Sequence, residues 1–297
     1  MVSPAGRAEI AVGSTRITYL PDGHGRLDPG VLFPASRPDG WATHAAYLDE
    51  DGWFPVSIGS FLIRTADRVV LVDLGLGEVE FAVPYVASFR GGRLLDSLAG
   101  EGVAPEDVDT VFFTHLHHDH VGWTSDIAPS PHAEAPQRDA TLTFAHARHL
   151  VHESEWRHWA GTSELIGPDP TAVQAPLVDR IGFVADGDEI APGVRVLATP
   201  GHTPGHCSLV VTDPDGRSSR RVVVLGDVMH CQVQVVESTW SFLFDADAAQ
   251  AFRTREQLLK ELEDPGTVLA GGHFAGSVFG RVLPPASRRA WASIGRV

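Results

Sequence analysis

The sequence predicts an α/β protein: two similar halves, each of strands followed by a helix, stacked as a two-sheet sandwich with helices outside. Three observations predict it. Short β-branched runs recur along the chain, among them Val69-Val70-Leu71-Val72 and Val222-Val223-Val224-Leu225. Helical periodicity follows each set of strands. No linker, repeat or low-complexity tract divides the 297 residues, so 1–297 reads as one domain.

In chain order, 17–20, 60–64 and 69–73 read as strands, the last two joined by a turn at Thr65-Ala66-Asp67. Residues 93–99 read as a short helix stopped by Gly100 and Gly102. A buried strand follows at 108–114, then a loop rich in Pro and Ala over 125–139, a candidate lid. Residues 141–145 and 148–151 read as extended, and Ser154 as the cap of a helix through Trp156 and Trp159. The second half places strands at 194–198, 208–211 and 222–225. Asp245 or Asp247 can cap the longest helix, 248–263, whose Ala251, Phe252, Leu258, Leu259 and Leu262 share one face. Pro265-Gly266 ends that helix before a last strand at 267–270.

Composition excludes several function classes. No apolar run approaches the roughly 20 residues that cross a bilayer, and the N-terminal MVSPAGRAEIAVGST lacks a signal-peptide core, so a cytoplasmic protein is expected. The two cysteines, Cys207 and Cys231, rule out a disulfide framework; Cys231 reads as a buried free thiol. A net charge of −15 repels phosphate backbones and anionic lipid, so neither nucleic acid nor membrane is an expected partner.

The unusual number is 15 histidines, and their spacing matters more than their count. Thr114-His115-Leu116-His117-His118-Asp119-His120-Val121-Gly122 follows directly on a strand. Residues two apart on an extended chain share a face. His115 and His117 can therefore grip one ion, with Asp119 and His120 reaching a second. Imidazole and carboxylate suit zinc and similar first-row metals. Further donors recur at strand ends beside glycines: His202 in Pro200-Gly201-His202-Thr203-Pro204-Gly205-His206, Asp227 in Gly226-Asp227, and His273 in Gly271-Gly272-His273. His118 points away from its neighbours and is left out of the ligand set. His146, His149, His152 and His158 read as surface residues. Phe33, Trp41, Trp53, Phe54, Trp123, Trp240 and Phe242 are candidates for an apolar pocket mouth.

With Leu71-Val72-Asp73-Leu74-Gly75, these motifs resemble the metallo-β-lactamase-fold hydrolase superfamily, from about Ser60 to His273. The resemblance implies an αβ/βα four-layer sandwich with the site at one edge of the two sheets. It implies two divalent ions, most simply Zn2+, with Mn, Co or Fe accepted by the same donors. His115, His117 and His202 would hold the first, Asp119, His120 and His273 the second, and Asp227 would bridge them. Asp73 matches a supporting aspartate and His206 a structural histidine. True β-lactamases of classes B1 and B2 carry Cys where Asp227 stands. Flavodiiron proteins carry Glu in place of His117. Glyoxalase II types carry basic residues after the last histidine, where 274–279 has none.

The segment Gly226-Asp227-Val228-Met229-His230-Cys231-Gln232-Val233-Gln234 is similar to the group of acyl-homoserine lactonases and methyl parathion hydrolase. His230 stands where lactonases of the best-known type have Tyr. The expectation is a hydrolase in which a hydroxide shared by two ions attacks a lactone or ester of a hydrophobic small molecule. Asp119 would orient that hydroxide and pass on its proton, and His230 would hydrogen-bond the developing oxyanion. An aryl phosphotriester or a thioester is the alternative substrate. A silent metal-binding module and a mononuclear iron oxygenase are further alternatives. Residues 1–57 are expected as an N-terminal arm suited to homodimer contacts.

Overall fold

Alternation along the strands builds two apolar faces on each sheet, and both faces are used. Ile17, Tyr19, Phe61, Ile63, Val70, Val72 and Phe112 of one sheet pack against Val194, Val196, Leu209, Val211, Val222, Val224, Val268 and Ala270 of the other. The residues between them point the opposite way. Leu62, Leu71, Val111 and Phe113 meet Leu94 and Leu98 of the helix Leu94–Gly100 and Trp159 of Glu153–Trp159. Val223, Leu225 and Leu269 meet Leu258, Leu259 and Leu262 of the helix Ala248–Leu262. The result is four layers, helix, sheet, sheet and helix, as the sequence predicts.

The computed structural model describes residues 2–36, 38–129, 138–285 and 287–294. The first sheet runs Glu80–Val83, Ala87–Arg90, Thr15–Leu27, Phe54–Arg64, Val69–Val72, Thr110–Phe112, Arg148–His152, Ile181–Val184, with Ala8–Val12 also paired to Thr15–Leu27. The second runs Glu189–Ala191, Val194–Ala198, Cys207–Thr212, Arg221–Val224, Thr267–Ala270, Phe279–Leu283, Ala290–Ser293. Pairing is parallel where long connections return the chain, from Val69–Val72 through Ile181–Val184 and between Arg221–Val224 and Thr267–Ala270. At the carboxyl ends of these strands the candidate donors come together. Among the described residues no helix is long and apolar enough to cross a membrane.

Several expectations need correction. Residues 141–145 form no strand; Leu142 makes an isolated bridge to Ser125 and the chain then turns. The helix near residue 154 is capped by His152, whose Nδ1 accepts the Ser154 N–H at 3.2 Å. Asp247, not Asp245, caps the long helix, accepting from Gln250 N–H at 2.9 Å. His149 is buried, at 1% exposure, against Phe113, although His146 and His158 are exposed. Within 1–57, the strands Ala8–Val12 and Thr15–Leu27 extend the strand read at 17–20 and lie inside the first sheet. Most of the candidate lid, 130–137, lies outside the described residues.

Candidate metal centre

The strand Thr110–Phe112 releases the chain into the histidine segment, and a tight turn at His118–His120 folds that segment back on itself. His115 Nε2 lies 3.0 Å from His117 Nδ1, which lies 2.9 Å from His202 Nε2. Asp227 Oδ2 stands 3.7 Å from His115 Nε2 and 3.4 Å from His202 Nε2. On the other side, His120 Nε2 is 3.1 Å from His273 Nε2, and Asp119 is 3.7 Å from the first and 3.5 Å from the second. Asp227 reaches this group too, at 3.4 Å from His120 Nε2 and 3.2 Å from His273 Nε2. All seven sequence-predicted donors thus converge, in two sets that meet at Asp227.

The far sides of these rings decide which atoms face inward. His120 Nδ1 is held by Asp73 Oδ2 at 2.9 Å, His202 Nδ1 by Asp245 Oδ1 at 2.8 Å, and His273 Nδ1 by the Ser57 carbonyl at 2.8 Å. Each partner accepts, so each Nδ1 carries a proton, and each Nε2, once it has none, turns a lone pair inward. The Thr114 hydroxyl donates to Asp73 Oδ2 at 2.8 Å and so accepts from His115 Nδ1 at 3.0 Å. Lone pairs facing one another at about 3 Å repel unless a cation lies between them. Asp227 Oδ1 is also buried with no hydrogen-bond partner. Converging imidazoles and an unsatisfied carboxylate oxygen fit divalent metal ions.

Electrostatics divide the donors. Burial, reinforced by neighbouring histidines, keeps the His115 and His117 rings well below the usual histidine range. Burial also opposes charge on His120 and His273. There, however, Asp227 and Asp119 outweigh it, lifting His120 well above the usual range and His273 to about 9. The same attraction overcomes burial at Asp119 and Asp227, and both carboxylates are held below their ordinary range. Without cations the protein therefore gathers positive charge here on protons.

Of the supporting shell, the resemblance implies Asp73 and His206, while Glu155, Arg255 and Asp22 carry no mark in the sequence. Asp73 sits at a positive φ of 59°, a costly geometry for an L-residue, and its carboxylate also accepts the Thr114 N–H at 2.8 Å. His206 Nε2 accepts the Asp227 N–H at 2.8 Å; burial pushes this ring down to about 3, so it stays neutral and can accept. The preceding Gly226 has φ +55°, and a Cβ there would lie 2.5 Å from His206 Nε2. Glu155, wholly buried, accepts from Leu116 N–H at 3.0 Å, Gly205 N–H at 3.1 Å and Trp159 Nε1 at 2.8 Å. It ties the loop of His115 and His117 to the loop of His202 and His206. Arg255, also wholly buried, donates to the carbonyls of Val228, at 2.8 Å, and Ser238, at 2.7 Å, and faces Asp245 at 3.6 Å. Asp22 accepts backbone N–H groups of Leu76 at 2.7 Å and Leu94 at 2.8 Å, and the Trp123 indole at 2.8 Å.

His230 Nε2 lies 3.1 Å from Asp227 Oδ2, and its ring stacks on Phe242 at 3.7 Å. The donor cluster opens into a small cavity walled by Leu27, Leu32, Val56, Phe89, Ile166, Phe242 and Phe244. A larger groove continues outward past Val79, Phe81, Val83, Val86 and Leu165. Of the seven aromatics expected at the mouth, Phe242 alone lines the cavity. Phe33, Trp41, Phe54 and Trp240 pack together behind it, Trp53 lies under the Arg26 guanidinium, and Trp123 packs beneath the first sheet. Cys231 is a buried free thiol among them. The sequence reading missed Phe81, Phe89 and Phe244.

The sequence profile described as Metallo-beta-lactamase superfamily matches residues 53–273. Metallo-beta-lactamase domain-containing protein 1 of Xenopus laevis is 30% identical over 185 residues, 62% of this chain and 63% of that protein, so the match spans just under two thirds of that relative. An N-acyl homoserine lactonase of a Bacillus species is 24% identical over 262 residues, 83% of this chain and 89% of its own length. Among solved structures, AidC, a dizinc quorum-quenching lactonase in complex with a product, superposes with a TM-score of 0.82 at 21% identity, covering 98% of each chain. A probable metal-dependent hydrolase from Staphylococcus aureus superposes at 0.79 with 20% identity, over 97% of this chain and 100% of that one.

Proposed function

The chain belongs to the metallo-β-lactamase superfamily, and on that premise we propose that it is a dinuclear metal-dependent hydrolase that opens a lactone, or a related ester, of a hydrophobic small molecule. One observation carries this reading: seven donors meet in two sets around Asp227 at the floor of an apolar cavity that continues into an apolar groove. His115, His117 and His202 would hold one ion and Asp119, His120 and His273 the other, with Asp227 within reach of both sets; zinc would suit the imidazole-rich set. When bound, two such ions would supply a hydroxide at neutral pH and a Lewis acid for the carbonyl oxygen.

The protein's own groups do the rest. The cavity walls Leu27, Leu32 and Val56 exclude water and hold the apolar part of the substrate beside the donors. Asp119, the more exposed of the two site carboxylates at 16% against 5% for Asp227, takes up a proton and returns it to the leaving oxygen. His230, fixed by its stack on Phe242, donates a hydrogen bond to the oxygen that gains charge.

The test is turnover of a long-chain acyl-homoserine lactone beside an aryl phosphotriester, by zinc-loaded protein and an Asp119→Asn control. High kcat/KM for the lactone, lost in the control, supports the reading. Dominant phosphotriester turnover replaces it, and full activity in the control removes Asp119 from its role.

A further inference from the structure

The loop from Asp227 to Asp245 begins at a donor within reach of both ligand sets and ends at the carboxylate that holds His202. On the way it supplies three residues of the inner cavity wall, His230, Phe242 and Phe244. It runs as irregular chain around a short helical turn, Gln232–Val235, so side chains rather than ladder bonds must fix it. Gln234, wholly buried in that turn, accepts the His230 N–H at Oε1, 2.6 Å away, and donates from Nε2 to the Trp240 carbonyl at 2.7 Å. The same carbonyl accepts from Arg255 at 3.2 Å. A primary amide supplies both groups at once; methionine, of similar length, supplies neither, and a carboxylate only the acceptor.

What stands at the two ends of this clip gives it meaning. His230 and Phe242, two residues beyond Trp240, stack face to face, with ring centroids 3.7 Å apart and planes at 17°. His230 Nε2 approaches Asp227, yet neither ring nitrogen completes a hydrogen bond. The place of the imidazole therefore follows from its backbone and from the ring it stacks on. Phe242 is held in turn by its N–H, which donates to Asp245 Oδ2 at 3.0 Å. One amide thus fixes the separation of two chain segments whose rings meet beside the donor cluster.

Resting on the hydrolase reading above, we propose that Gln234 is a positioning residue that sets the stacked His230–Phe242 pair against the donor cluster, and that the reaction senses Gln234 only through that pair. A displacement of about 1 Å at a reacting centre costs on the order of a hundredfold in rate.

The experiment is a double-mutant cycle of Gln234→Met and His230→Ala, read as kcat/KM for a long-chain acyl-homoserine lactone per bound zinc. Gln234→Met alone lowers kcat/KM by roughly ten- to a hundredfold. In the His230→Ala background it lowers it by less than about twofold, while its loss in urea unfolding is the same in both backgrounds. A merely structural glutamine lowers activity by the same factor in both, and that result overturns the proposal. Gln234→Glu keeps the acceptor for the His230 N–H, changes each quantity in the same direction by less, and serves where the methionine variant does not fold.

A second readout needs no turnover. In zinc-loaded protein labelled at histidine, the His230 ring protons, assigned by their loss in His230→Ala, lie upfield under the face of Phe242, and Phe242→Leu removes that displacement. Gln234→Met moves them most of the way to the Phe242→Leu position. Unmoved resonances overturn the proposal while lactone hydrolysis, if seen, leaves the hydrolase reading standing. Moved resonances with no lactone hydrolysed support the positioning by Gln234 and remove the lactonase.

Discussion

Replacing Glu155 tests whether the two ligand-bearing loops are held together by one carboxylate. Glu155→Ala leaves the Leu116 N–H, the Gly205 N–H and the Trp159 indole N–H without their acceptor, all in a fully buried pocket. A hydrogen bond to a charged group is worth about 1.5–3 kcal/mol. Three such bonds do not add fully, and breaking a buried charged cluster from one side costs roughly 3–5 kcal/mol. The expected loss is therefore about 4 kcal/mol in urea unfolding. Glu155→Gln keeps an oxygen for Leu116 and Trp159 but turns an amide N–H toward Gly205, so about half that loss is expected. Bound zinc per chain should fall in the same order, because Leu116 lies between His115 and His117 and Gly205 adjoins His206. A loss under about 1 kcal/mol for the alanine variant, with zinc content intact, would refute the tie.

Other outcomes follow from the same structure. Chelation should lower stability and zinc restore it, by about 2.7 kcal/mol for each site filled at a hundredfold excess over Kd; calorimetry should count two ions per chain, and fewer in Asp227→Ala. Burial pushes His149 down to about 4 from an ordinary 6.5, so the unfolded chain takes its proton first as pH falls. Its stability contribution is complete above pH 6.5 and is lost toward pH 4, about 3 kcal/mol in all at 1.36 kcal/mol per unit; His149→Leu should flatten that part of the urea-versus-pH curve. Arg255→Met strands the carbonyls of Val228 and Ser238 and unseats Asp245 behind His202. A loss of roughly 3–5 kcal/mol is expected, with faster zinc release to a chelator. Leu165, 62% exposed on the groove wall, should when changed to Trp raise KM several-fold for long-chain lactones and leave short ones near their starting value.

What the sequence made legible was whatever is written locally. The donors His115, His117, Asp119 and His120 are nearly contiguous, and His202, Asp227 and His273 each stand beside glycine at a strand end, so spacing alone pointed to them. Apart from Asp73, which its own motif marks, the partners that orient those rings carry no such sign. Asp245 lies 43 positions from His202, and Glu155 39 from Leu116, pairings that only the fold creates. The strand Thr15–Leu27 was legible only at 17–20, because Pro21-Asp22-Gly23-His24-Gly25 reads as a turn. It remains a strand because Phe54–Arg64 pairs along its whole length and a register shift between Pro21 and Gly23 absorbs Asp22. Residues 141–145 erred the other way, their β-branched look overridden by turns. Polarity alone put His149 on the surface, yet its strand carries it into the layered sheet against Phe113.

The strand Thr15–Leu27 also has a consequence for how this enzyme can change. It carries Asp22, which anchors the turns beneath the donors, and Leu27, which walls the substrate space; Leu32 follows directly. All three precede residue 53, where the family's shared pattern begins. A stretch outside that pattern thus both shapes the substrate space and steadies the first sheet. Mutations that retune what the cavity accepts will be filtered by whether this strand still folds. New specificities are expected to arise more readily at the groove rim, around Leu165 and Val83, where side chains can vary without touching the frame.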